Sequence, residues 1–334
     1  MGPLNDMHQK QSMDHERDTA VFRTRRKAVD MMTGRRMESR FVWLLVLLIG
    51  CDPARAGEEI LRCGSALRMA PPGSKEGLPR YAPERHVDIT HLKIDITPDF
   101  ATRTLRGTTT ISFAPLVKPL TELTLDAIDL NIASVESSAK IAGYTTTDKS
   151  ITITFDPAPA PGDATTVTIR YDAEPQEGLY FRTPEMGYPE GDTHLFTQGE
   201  SHGAPYWYPN YDYPNERFTS EVICRVPPEM TVLSNGRLVS QRIDPETGLK
   251  AVRWLQDKPH VNYLVALAAG QFKKIESQYR DIPLAFYTPA SEIAQAARSF
   301  EGTADMIAFF EGEIGVPYPW DKYSQVCVMD FVAG

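Results

Sequence analysis

The chain has 334 residues, with 35 Lys+Arg against 44 Asp+Glu, a formal net charge of −9, 7 His and 4 Cys. Its 42% hydrophobic and 24% charged residues are globular values over a length that suits one large or two ordinary domains, which excludes wholesale disorder. The acidic balance argues against a nucleic-acid binder, and four scattered cysteines without a C-x-x-C exclude a disulfide scaffold or a cysteine zinc cluster.

Charge is uneven along the chain. In residues 1–40, nine Lys/Arg against six Asp/Glu leave +3, and 26 against 38 leave −12 on the rest. The basic stretch runs into Phe41 to Gly50, an apolar run too short to span a bilayer but suited to a signal-peptide core. Leu48-Ile49-Gly50-Cys51 resembles a bacterial lipobox, in which the cysteine is lipidated and becomes the new N-terminus. Residues 1–50 are therefore expected to be a basic leader and signal peptide, with Met37 an alternative start. Lipidation of Cys51 is expected to anchor an exported protein, periplasmic or at the cell surface, to a bacterial membrane. Residues 51–84 are rich in Gly, Pro and Ala and read as a tether that includes Cys63.

From Arg85 the pattern has period two. Val87 and Ile89 are followed by Leu92, Ile94 and Ile96 on the opposite parity, which predicts a bulge near Thr90 or a two-sided strand. Further strands are expected over Thr108–Phe113, around Leu123-Leu125-Ala127, Ile151-Ile153-Phe155 and Val167-Ile169-Tyr171, with Pro157 to Asp163 a loop. Later strands are expected over Glu221–Val226, Thr231–Leu233, Val252–Leu255 and Tyr263–Ala268, the last covered on both faces, with Asn235-Gly236 as a hairpin turn. Such spacing indicates an antiparallel sandwich or a saddle-shaped sheet. Near residue 291 the period changes. Ile293, Ala297, Phe300, Ala304, Ile307 and Ile314 predict one amphipathic helix with Ser291 as N-cap, and Glu311 and Glu313 solvated. Tyr323 to Phe331 reads as a strand, and Cys224 and Cys327 as buried thiols in strands.

No two of the seven histidines sit three or four residues apart, so the chain holds no helical H-E-x-x-H pair. The most loaded segment is Thr197 to Pro214, which combines aromatics and prolines with Glu200, His202 and Asp212. It reads as a non-repetitive loop on a β scaffold, either lining a site or simply packed with its polar groups satisfying the backbone.

This segment resembles the T-Q-x-E-x-x-x-A-R-x-x-F-P-C-x-D-x-P signature of the aminopeptidase N family of zinc metallopeptidases. It matches at Thr197, Gln198, Glu200, Ala204, Pro209, Asp212 and Pro214, with Tyr208 in place of Phe, and departs at Pro205 and Asn210. Gly178-Leu179-Tyr180-Phe181-Arg182 and Pro317-Tyr318-Pro319-Trp320-Asp321-Lys322-Tyr323 resemble flanking family segments, and Asp330 to Gly334 resembles the lead-in to its G-x-M-E-N motif. The resemblance implies a mainly β fold: a saddle-shaped antiparallel β-sandwich at 85–276, then at 277–334 the first helix and strand of an α/β thermolysin-like catalytic domain.

It also implies roles. Glu200 is expected to anchor the substrate α-amino group, because a carboxylate facing an ammonium gives charge-assisted hydrogen bonds and sets the distance to the scissile bond. Gln198 is expected to line the first side-chain pocket, and Gly334 to open the second substrate-binding motif. The resemblance carries no chemical role for His202 or Asp212; from the sequence itself Asp212 is expected to fix the loop as a hydrogen-bond acceptor, and His194 to be a surface or strand-edge residue. The complete family enzyme uses zinc held by H-E-x-x-H and a distant Glu, with a downstream Tyr for the oxyanion. None of these stands in this sequence, so these residues alone are expected to bind no catalytic zinc and to be inactive, with a missing catalytic portion as a possible partner. The expected ligands are peptide N-termini, and no nucleic acid. A stand-alone lipoprotein that binds peptides without catalysis is the alternative.

Overall fold

The computed structural model describes residues 84–331. The expected leader, lipobox and tether, with Cys51, Cys63 and Gly334, lie outside the described residues.

In chain order the strands are β1 (Val87–Asp99), β2 (Thr104–Pro115), β3 (Glu122–Asp126), β4 (Asn131–Ser137), β5 (Ile141–Thr146), β6 (Ser150–Phe155), β7 (Thr165–Ala173), β8 (Leu179–Arg182) and β9 (His194–Thr197). They continue as β10 (Phe218–Val226), β11 (Thr231–Ser234), β12 (Arg237–Ile243), β13 (Lys250–His260), β14 (Leu267–Gly270), β15 (Lys273–Tyr279) and β16 (Ile282–Thr288). Helices α1 (Ile293–Ser299) and α2 (Thr303–Ile314) follow, then β17 (Tyr323–Val326).

A seven-stranded sheet has the order β12-β13-β10-β1-β2-β7-β4, a four-stranded one β11-β14-β9-β8, and two three-stranded ones β3-β6-β5 and β15-β16-β17. Pairing is antiparallel except for β1 with β10 and β16 with β17. The parity change in β1 is a bulge: the register with β2 shifts between Ile89 and His91, leaving Thr90 out. Val87, Ile89, Leu92, Ile94 and Ile96 therefore all face inward although their spacing breaks at Thr90.

One continuous core joins the inward faces of the seven-stranded, four-stranded and β3-β6-β5 sheets. The period-two residues on β3, β6 and β7 supply much of it: Leu125, Ile151, Ile153, Val167 and Ile169 are fully buried. Each such side chain contributes about 1.5–3 kcal/mol of transfer free energy. A smaller core of Leu284, Phe286 and Ile307 lies between β16 and α2. The chain is thus mainly β, with a helical pair near the C-terminal end.

Several expectations are corrected. The single helix is two, because Gly302 lies inside the run and the Phe300 carbonyl takes both the backbone N–H and the hydroxyl of Thr303, ending the ladder. Ser291 sits in a 3-10 turn instead of capping α1, which buries Ala296 while Ala297 is exposed. The residues 263–268 are not one strand. Asn262 to Leu264 form a 3-10 turn with Val265 N–H on the Asn262 carbonyl, and β14 starts at Leu267. Asn235-Gly236 is a turn, with Gly236 at φ 72°, yet β11 and β12 join different sheets. The Asn235 amide explains this, bonding the Leu264 carbonyl at 2.9 Å and the Ala266 N–H at 2.7 Å. The last strand stops at Val326, where residues 329–330 turn. Cys224 is buried in β10, but Cys327 is half-buried and follows β17. Glu311 is not free in solvent: it accepts from the Tyr279 hydroxyl and the Tyr318 N–H and pairs with Arg280.

Candidate functional site: the loop after β9

Thr197 ends β9 and ties it to β14, its hydroxyl accepting the Leu267 N–H at 2.8 Å. Gln198 N–H then bonds the Gly178 carbonyl at 2.9 Å, and Gly203 N–H reaches back to the Gly199 carbonyl at 2.9 Å. The result is a tight loop over residues 199–203 lying on the segment before β8. Contact there is backbone against backbone. A Cβ on Gly178, whose φ is 74°, would stand 1.7 Å from the Gly203 carbonyl oxygen.

The second half of the segment is fixed from below. Trp207 and Tyr208 are fully buried with ring centroids 4.4 Å apart. The Tyr208 hydroxyl donates to Asn262 Oδ1 at 2.7 Å, and Asn262 Nδ2 donates to Asn210 Oδ1 at 3.0 Å and to Asp212 Oδ1 at 2.7 Å. Asn210 pairs its backbone with Asp126 of β3, and Asp126 Oδ2 accepts the Asp212 N–H. Asp212 thus acts as the loop-fixing acceptor. Burial raises the Asp126 carboxyl above its ordinary value, against the Asp212 N–H that favours its charge.

On this base Gln198 and Glu200 line one open cavity of about 370 Å³, together with Glu177, Tyr180, His202 and Tyr206. Gln198 Nε2 donates to the Glu200 carbonyl at 3.4 Å. The Glu200 side chain is exposed at the rim, and no side chain among the described residues bonds its carboxylate. The Glu200–Ser201 peptide is cis. His202, at 3.6 Å from Asp212, is largely exposed. The Glu200 carboxylate is therefore open to the cavity, where it can accept charge-assisted hydrogen bonds.

His194 is not at the surface but 1% exposed. Its Nδ1 lies 2.6 Å from the Asp192 carbonyl and its Nε2 accepts the Met329 N–H at 3.2 Å, so Nδ1 carries the proton. Burial, with Arg182 nearby, lowers its pKa below the ordinary value, and the Asp192 carbonyl opposes this. Neither this contact nor the Asn262 network was visible in the sequence, since both pair residues far apart in the chain.

The described residues do not fit a catalytic zinc site. His194 and His260 have both ring nitrogens engaged by protein groups, and among the described residues no three His, Cys, Asp or Glu side chains converge as ligands.

Residues 87–264 match the Peptidase M1 N-terminal domain. Aminopeptidase N of Acetobacter pasteurianus is 28% identical over 245 residues, covering 70% of this chain and 67% of that protein. Aminopeptidase 2 of Candida albicans is 26% identical over 273 residues, and mitochondrial aminopeptidase 2 of Saccharomyces cerevisiae is 24% identical over 271. Each of these two alignments covers 78% of this chain but 28% of the relative. The chain belongs to the M1 family of metallopeptidases, whose N-terminal domain it carries over residues 87–264.

Proposed function

We propose that this chain is the N-terminal portion of an exported, zinc-dependent aminopeptidase that removes residues from peptide N-termini, and that Glu200 holds the substrate α-amino group. The observation that carries this is the exposed, unpartnered Glu200 carboxylate at the rim of a cavity, on a loop locked by backbone contacts and a buried amide network. An ammonium in front of that carboxylate forms charge-assisted hydrogen bonds that fix where the first peptide bond lies. Gln198, beside it, lines the pocket for the first side chain. Gly334 belongs to the second substrate-binding segment.

On this reading the β domain spans 85–276 and residues 277–334 open the catalytic domain. These residues bind no catalytic zinc by themselves, so hydrolysis needs groups supplied from outside the described residues. Export and a lipid anchor at Cys51 rest on the basic leader, the apolar run and the lipobox-like Leu48 to Cys51. The named aminopeptidases among the relatives support the activity class.

Calorimetry with trialanine and N-acetyl-trialanine tests the site. The free amine should bind and the acetylated peptide should not, and Glu200→Gln should weaken the free-amine peptide by about 10- to 100-fold, the loss of one charge-assisted bond of about 1.5–3 kcal/mol. Equal binding of both peptides would refute the assignment.

A further inference from the structure

A second cavity, of about 530 Å³, lies between the seven-stranded sheet and the β15-β16-β17 sheet. Alternate residues of two strands line it: Lys250, Val252 and Trp254 from β13, and Pro283, Ala285 and Tyr287 from β16. Its middle is apolar, since Val252, Trp254, Ala285 and Tyr287 are all buried. Its charged lining is basic. Arg237, Lys250, Lys274 and Lys322 stand there against Asp321 as the one acidic side chain among the described residues, in a chain of net charge −9. Asp321 is itself paired with Lys258 at 2.8 Å.

Arg237 and Lys274 have carboxylate partners, Asp257 and Glu276. Lys250 and Lys322 are paired with none among the described residues. The Lys250 ammonium donates to the Pro228 carbonyl at 2.5 Å, and that of Lys322 to the Ser234 and Gly236 carbonyls at 2.7 Å each. An ammonium has three donors, so two remain on Lys250 and one on Lys322. The carbonyls hold both heads in place without a counter-charge in contact. Burial lowers both below the ordinary lysine value, Lys322 to about 8, a shift that Glu229 and Asp321 oppose. The two ammoniums mark different ends of the groove. Lys322 Nζ lies 4.6 Å from the Trp254 ring centroid, and Trp254 is four residues, about 13 Å, along β13 from Lys250.

We propose that this groove binds an extended organic dianion, with one acidic end at Lys250, the other at Lys322 and an apolar middle over Val252 and Trp254. Each end forms a charge-assisted hydrogen bond to a donor already in position, and the middle covers apolar wall. A monoanion of the same length satisfies one end alone, and a compact anion reaches one lysine but not both. The site stands apart from the Glu200 loop, since no residue lines both cavities, and it does not rest on the amine-binding reading.

Calorimetry on the full chain with decanedioate, decanoate and inorganic phosphate tests this, alongside the Trp254 indole N–H signal in NMR spectra. Decanedioate should bind about tenfold more tightly than decanoate and shift the indole signal, with phosphate weaker still. Lys250→Gln should weaken decanedioate by about tenfold and remove its advantage over decanoate. Lys322→Gln should do the same, and Lys250→Gln carries the test if the loss of two carbonyl contacts keeps Lys322→Gln from folding. Lys118→Gln, an exposed lysine outside the groove, should change nothing. Equal affinity for decanedioate and decanoate would overturn the proposal, as would wild-type affinity in Lys250→Gln or an equal loss in Lys118→Gln. So would binding that leaves the Trp254 signal unmoved, or no binding of decanedioate at all.

Discussion

Asn262 makes the plainest case at the scale of single residues. Its side chain joins Tyr208, Asn210 and Asp212 in a buried network, so Asn262→Ala leaves several polar groups without partners. We expect it to cost about 2–4 kcal/mol in chemical denaturation, whereas Tyr208→Phe, which removes one donor, should cost about 1–2 kcal/mol. Equal small effects would show that the loop is held by its rings alone. The sequence pointed to Tyr208 and Asp212, because they occupy signature positions. It gave no hint of Asn262, since nothing local distinguishes an asparagine that satisfies a distant loop from one in a turn. Asn210, a departure from the family signature, is where the structure is most informative: its amide is what Asn262 grips.

Among the elements, the period-two strands were legible because one face of each is buried: the alternating residues of β6 and β7 are the core residues observed. Even the bulge at Thr90 was visible, as a change of parity with no change of hydrophobicity. The helical region was misread because apolar spacing says nothing of how the backbone ends, and Gly302 with Thr303 divides it. Strands β4, β5, β12 and β15 escaped notice because their exposed or half-buried residues carry no clean alternation. The α2 face is also informative. Met306, Phe309, Phe310 and Ile314 are exposed, an apolar surface of the sort that drives association. Phe309→Glu together with Ile314→Lys should reduce dye binding to exposed apolar surface and raise solubility, with little change in melting temperature. A large drop in melting temperature would instead mean that these side chains support the fold of these residues.

For the molecule as a whole, buried His194 and His260 and half-buried His91 shape the response to acid. Burial holds His91, His194 and His260 below the ordinary value of 6.5. The unfolded chain therefore takes up protons that the folded chain refuses, so their contribution to stability is complete above pH about 6.5 and is lost as pH falls through the window below it. Asp126, raised by burial, acts in the opposite sense. With three groups against one, urea midpoints should fall from pH 7 to pH 5, and His260→Gln should flatten that slope. A midpoint independent of pH over this range would contradict the assignment of neutral histidines. Lys322 adds a link between distant parts of the chain. It donates to the Ser234 and Gly236 carbonyls at 2.7 Å each over the Trp254 ring, and burial lowers it to about 8.

Whether Glu200 meets the amino end of a peptide can be seen in a crystal structure of the chain soaked with trialanine. The peptide nitrogen is expected about 2.7–3.2 Å from a Glu200 carboxylate oxygen, with the first side chain toward Gln198. A peptide seated in the cavity with its carboxyl end or middle at Glu200 would contradict it.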